Sequence, residues 1–165
     1  MAPLFDQPER FVIDAVGEPG KRTFFVQVRQ GGRLVSIIIE KNQAQTLCTL
    51  LRRLFSGLKE LGHAVPGPCQ QPADLGPLDL PLEPRFRAGE IRLSWEREGG
   101  RVIVEFDDAL SEATLLVRMS LEQAQEFAVR AERVIASGRP ACPLCAQPLD
   151  SQGHICPRSN GHRPR

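Results

Sequence analysis

Three alternating apolar runs followed by one long amphipathic stretch, and then the same order again, is the feature that most limits how this 165-residue chain can fold. In the first set Val12 and Val16 flank Asp14 on one side, with Phe11, Ile13 and Ala15 on the other. Phe24, Val26 and Val28 then share one face of a second run, and Val35, Ile37 and Ile39 share one face of a third. A period of two is that of a half-buried strand. Ala44, Leu47, Leu50, Leu51, Leu54, Phe55, Leu58 and Leu61 follow at three- and four-residue steps, the spacing of a helix with one buried face. Asn42 with Gln45 predicts its capping box, and Gly62 predicts its end.

The second set repeats the plan. Ile91, Leu93 and Trp95 alternate with polar residues, as do Val102, Val104 and Phe106, and then Leu115, Val117 and Met119. Ser120 with Gln123 opens a helix whose stripe is Leu121, Ala124, Phe127, Ala128, Ala131, Val134 and Ile135, and Gly138 closes it. Gly31-Gly32 and Gly99-Gly100 predict tight hairpins, joining different pairs of strands in the two sets.

Strands apolar on one face and linked by short turns predict an α+β fold, an antiparallel sheet of about six strands with both helices on one side. The expected body is residues 1–138, two βββα halves (10–62 and 88–138) joined by a Pro-rich connector, 63–87. Each helix carries a Gln-Ala-Gln triplet, Gln43–Gln45 and Gln123–Gln125, two residues out of register against the expected caps. Duplication is therefore a hypothesis at this point. The opposite sheet face, with Gln27, Arg29, Ser36, Glu40, Arg92, Ser94, Glu96, Glu105 and Arg118, is expected to be a solvated mixed-charge surface.

The tail, 139–165, is the one place where residue types and spacing together demand a chemistry. Cys142 and Cys145 have the two-residue gap that lets both sulfurs of one turn reach a single ion, and His154 and Cys156 return from the other side. Three thiolates and one imidazole form a soft tetrahedral set, which points to a closed, structural Zn2+ site. His162 competes with His154 for the fourth position. Leu144, Leu149 and Ile155 are the only large apolar residues of the tail, so the metal would replace a missing core.

Taken together, the start around Phe5–Phe11, the two Gln-Ala-Gln helices and the closing Gly138–Cys145, Gly153–Arg158 and Asn160-Gly161 resemble a conserved hypothetical family of bacterial, mainly actinobacterial, proteins catalogued as a domain of unknown function. The resemblance covers nearly the whole chain and is specific in the tail. It implies a bacterial cytoplasmic protein with a zinc-ribbon-like end at Cys142, Cys145 and Cys156, and it brings no catalytic residue.

Five cysteines without an even framework fit a reducing cytoplasm, and no run of about 18 apolar residues is present to span a bilayer. The chain has no phosphate-cradling glycine loop leading into a helix, no Gly-x-Ser-x-Gly elbow, no tyrosine, and only His63 as a histidine away from the tail. The leading expectation is a non-enzymatic binding or adaptor protein with a protein partner. A second is weak, sequence-tolerant nucleic-acid binding through the tail, where four arginines face only Asp150 and no aromatic ring is present to stack a base. A third is a hydrolase-type enzyme in the cleft between sheet and connector, using Glu105, Asp107 and Asp108 or the thiol of Cys69. Cys48, beside the apolar stripe of the first helix, reads as a small buried hydrophobe.

Overall fold

The computed structural model describes residues 4–138 and 142–145. Within them the elements run β1 (Leu4–Asp6), β2 (Arg10–Val16), β3 (Thr23–Gln30), β4 (Arg33–Ile39), α1 (Lys41–Glu60), β5 (Pro84–Glu96), β6 (Arg101–Asp108), β7 (Thr114–Met119) and α2 (Leu121–Ala136). The fold is α+β, as the alternation predicts. The sheet, however, has seven strands in the order β1-β7-β6-β5-β4-β3-β2 and is mixed, because β1 pairs with β7 and β4 with β5 in parallel. The antiparallel expectation fails at those two joints. Alternation along a strand reports which face is buried and carries no information on the direction of the neighbouring strand.

β1 and β2 are the two outer strands of the sheet yet only Gln7–Glu9 separate them. Six inter-strand gaps of about 4.8 Å would hold the edges of a flat sheet roughly 29 Å apart, whereas the chain from Asp6 to Arg10 extends at most about 14 Å. The sheet therefore curls until its edges meet. Phe11 of β2 and Phe106 of β6 confirm this, with ring centroids 6.4 Å apart across the core although three strands lie between them in sheet order. At the corner Gln7 has φ +51°, its N–H donates to the Arg118 carbonyl at 2.7 Å, and the Gln30 amide makes two bonds to the backbone of Asp6. β5 does the same work in one piece. Its start pairs with β4, and from Ala88 on it pairs with β6, with a register shift between Ala88 and Ile91. Gly89 sits in that shift because a Cβ there would lie 3.0 Å from the Cα of Ala109.

The pairing register makes the two halves equivalent residue by residue. Phe11, Ile13 and Ala15 face Val28, Val26 and Phe24, as Ile91, Leu93 and Trp95 face Phe106, Val104 and Val102. The next pair repeats this, with Ile37 opposite Val26 and Val117 opposite Val104. The caps complete the match. α1 is capped by Glu40, not Asn42, with the Glu40 N–H donating to Gln43 at 2.7 Å; α2 is capped by Ser120, whose hydroxyl accepts from the Gln123 N–H at 3.1 Å. Gln43 and Gln123 are thus the third residues of their helices, and the two Gln-Ala-Gln triplets are in register after all. Each also carries its amide to the strand corner opposite. Gln43 donates to the carbonyls of Ala88 and Gly89, and Gln123 to that of Pro8; of the box expected at Ser120, the half in which the Ser120 hydroxyl accepts from the Gln123 N–H is made.

Both helices lie on the concave side, where Phe11 stacks on Phe127 at 4.4 Å and one continuous core includes Ile13, Ile37, Leu47, Leu51, Val104, Val117 and Ala128. Gly62, at φ +85°, ends α1 as expected, with the His63 N–H returning to the Leu58 carbonyl. The outer face departs from expectation in the first half only. Gln27 is 1% exposed and Ser36 3%, because the connector lies on them: Gln27 exchanges two bonds with the backbone of Asp79 and donates a third to Ser36.

Candidate functional site

The tail leaves the body at the end of α2, where Ser137 caps the helix and its N–H bonds to the Arg133 carbonyl. Four residues beyond Gly138, Cys142 is 4% exposed, and the chain turns over Pro143–Cys145 with Cys145 half-buried and Leu144 turned outward. The two thiols of the Cys-Pro-Leu-Cys motif thus sit on the tight turn that their spacing predicts. His154, Cys156 and the competing His162 lie outside the described residues. Among the described residues no group of three or more His, Cys, Asp or Glu side chains is arranged to hold a metal ion, and only two of the four expected ligands are among them.

The most elaborate polar constellation among the described residues lies elsewhere, where the connector crosses β2. Arg10 donates to both oxygens of Asp74 at 2.6 and 3.2 Å, to Asp79 at 3.1 Å and to the Gly76 carbonyl at 3.0 Å. Arg130 of α2, 4% exposed, satisfies the same segment from below through the Asp74 and Gly76 carbonyls at 2.8 and 2.7 Å, and ties it to β2 through the Ile13 carbonyl at 2.8 Å and Asp14 at 3.1 Å. Arg10 and Arg29 face each other in register across β2 and β3, a like-charge pair that would be unfavourable alone. Asp79 resolves it by accepting from both, at 3.1 and 2.9 Å. The hydrogen bond from Arg10 holds the Asp74 carboxyl below its ordinary range, with Arg130 adding to the effect, so Asp74 is an ionised clamp and no proton donor near neutral pH. Beside this clamp is a cleft of about 460 Å³ lined by Pro8, Glu9, Glu122, Gln123 and Glu126.

The carboxylates proposed from sequence for this cleft are not in it. Glu105 and Asp107 point from β6 to Arg92 at 2.7 and 3.0 Å on the outer face of the second half, and Asp108 closes the β6–β7 turn through the Leu110 N–H and the Ser111 hydroxyl. Cys69 does lie along the connector, its sulfur 2.9 Å from the Gln71 carbonyl and 3.8 Å from Glu126. Cys48 is 6% exposed between the helices, and burial, seconded by Glu132, pushes its thiol up to about 11, which fits the reading of a small hydrophobe. The clamp escaped sequence reading because Arg10, Asp74, Asp79 and Arg130 share no local period. The available signal was two aspartates five apart in a proline-rich stretch, facing a sheet that brings two arginines into register.

No described helix is long and apolar enough to cross a membrane. A family model described as "Protein of unknown function (DUF3090)" matches residues 4–156, a span that takes in the whole body, the Cys142–Cys145 turn, His154 and Cys156. No curated protein and no solved structure matches the chain.

Proposed function

The chain belongs to the DUF3090 family, and from its own geometry we propose that it is a non-enzymatic adaptor whose rigid α+β body presents a zinc-stapled tail to a protein partner in the reducing cytoplasm. The observation that carries this reading is the Cys142-Pro-Leu-Cys145 turn, with one thiol buried and the other half-buried, four residues past a capped helix. A turn of this kind offers two sulfurs to one tetrahedral ion, and His154 and Cys156, two residues apart in sequence, supply the remaining pair, with His162 the competitor for the imidazole position. Zinc held by four protein ligands has no open position for substrate and acts by ordering the segment that binds it. The connector clamp supports the same reading, since its arginines and aspartates satisfy one another and hold a loop onto a sheet.

The test is metal content and partner capture with one set of variants. Protein purified without chelator should carry about one zinc per chain, and the double substitution Cys142→Ser, Cys145→Ser should lose it. The wild-type chain should retain a nuclease-resistant protein from its own host that the double variant does not. Metal-free wild-type protein refutes the zinc site. Capture that disappears on nuclease treatment and weakens with salt would replace the adaptor reading with nucleic-acid binding.

A further inference from the structure

The two equivalent halves differ in one respect. The outer face of the first is covered by the segment that follows its helix, and among the described residues no segment covers the outer face of the second. In the first half the segment after α1 runs past α2, where Gln125 donates to the Gly67 carbonyl, and then over β2 and β3, where Asp74 and Asp79 meet Arg10 and Arg29. Val12, Phe25 and Gln27 are buried beneath it. In the second half the register puts Glu90 close to the place of Arg10, Glu105 at that of Gln27 and Asp107 at that of Arg29. The charge is inverted. Arg92, in the place of Val12, pairs with all three acids and leaves two negative charges unmatched. One oxygen of Asp107, Oδ1, is buried without a hydrogen-bond partner.

The chain that follows α2 has the complementary inversion. Where the connector presents Asp74-x4-Asp79, the tail presents Arg158-x4-Arg163, with the same five-residue spacing and a glycine between the charges in each case, Gly76 and Gly161. Arg158 stands twenty positions after Gly138 and Asp74 twelve after Gly62, so the tail has the length to follow the equivalent course with a Cys142–Cys156 knuckle on the way. We propose that the outer face of β5 and β6, at Glu90, Glu105 and Asp107, is the docking surface for residues 157–165 of the same chain, Arg158 and Arg163 standing where Asp74 and Asp79 stand in the first half. The docking needs the acids and the arginines and does not need the metal, so it stands or falls separately from the zinc site.

The full-length chain tests it through tryptic cleavage after Arg158 under native conditions, a bond that docking shields; Arg163 is followed by proline and is not cut. Glu90→Gln with Asp107→Asn should speed that cleavage about threefold to tenfold, the range expected for two partly exposed ion pairs. Arg163→Asp should do the same, and combining it with Asp107→Arg should restore the wild-type rate, while cleavage elsewhere in the body stays unchanged as a control for folding. Equal rates in wild type and all variants overturn the proposal. Protection that grows with protein concentration also overturns it, because it would place the tail on a neighbouring copy, and the same comparison in the Cys142→Ser, Cys145→Ser background shows that the metal is not the source of the shielding.

Discussion

Arg130→Ala is the substitution on which the physical account of the body depends most directly. Five donor contacts vanish with it, to Ile13, to Asp74 twice, to Asp14 and to Gly76. Gly76 and the Asp74 carboxylate keep Arg10, and Asp14 keeps the Ala15 N–H, so the acceptors left bare are the carbonyls of Ile13 and Asp74. Ile13 is 0% exposed, and an orphaned buried acceptor costs roughly 1–3 kcal/mol. Asp14 and Asp74 are 34% and 44% exposed in their side chains, so water recovers most of the lost ion pairing there. The sum is about 3 kcal/mol, at the lower end of what removing one partner of a buried pair costs. For a chain of this length that is a fall in melting temperature of about 6–12 °C. Urea denaturation followed by circular dichroism, with unchanged m, measures it, and Arg130→Lys should recover part of the loss by keeping one donor. A loss below about 1 kcal/mol for Arg130→Ala would show that the connector is not held from below and that the clamp is decoration on an independently stable sheet.

Other outcomes follow from the same geometry. Because Arg10 lowers the folded value of Asp74, the stabilisation it brings is fully present above about pH 4 and is lost as the pH falls through the lowered value; amide protection around Gly76 should weaken at acid pH in the wild type and show no such step in Asp74→Asn. Cys48, with its thiol near 11 against an ordinary 9, should alkylate roughly a hundredfold more slowly in the native state than in urea at pH 8, as read by mass spectrometry. Ser120→Ala should cost about 1 kcal/mol through the lost cap, detectable as a shift of the urea midpoint. A strong chelator should remove the zinc proposed for the tail while leaving the far-ultraviolet spectrum of the body unchanged.

Local pattern carried the strands, the helices and their order, because burial of one face imposes a period on Phe24–Val28 or Leu47–Leu58 that no distant residue needs to supply. It did not carry direction. Whether β4 lies beside β5 parallel or apart from it depends on Pro84–Arg87, a stretch that reads as part of a proline-rich loop and becomes strand only when β4 is there to pair with it. The out-of-register triplets came from a single residue: Asn42 is a better cap by type than Glu40, and the fold uses Glu40 because β4 ends at Ile39. Gln27 and Ser36 read as surface on alternation alone, and are buried by a segment that bonds Gln27 from Asp79, 52 positions later. The turn at Cys142–Cys145 was legible in its two-residue spacing, while His154 and Cys156 lie outside the described residues.

The corner between β1 and β2 has a consequence in time. Strand pairing elsewhere in each half joins neighbours in sequence, but β1 pairs with β7, so Leu4 meets a residue, Leu116, made more than a hundred positions later. Of the described strands, β1 is thus the one that waits longest for its partner. Until β7 exists, β1 has no strand to pair with and meets only the β3–β4 hairpin, where Arg33 lies over the Phe5 ring. A chain cut short before Thr114 lacks the strand that pairs with β1 and is left with an open seam there, and one cut between Met119 and Leu121 closes that seam but lacks the helix that holds the connector from below.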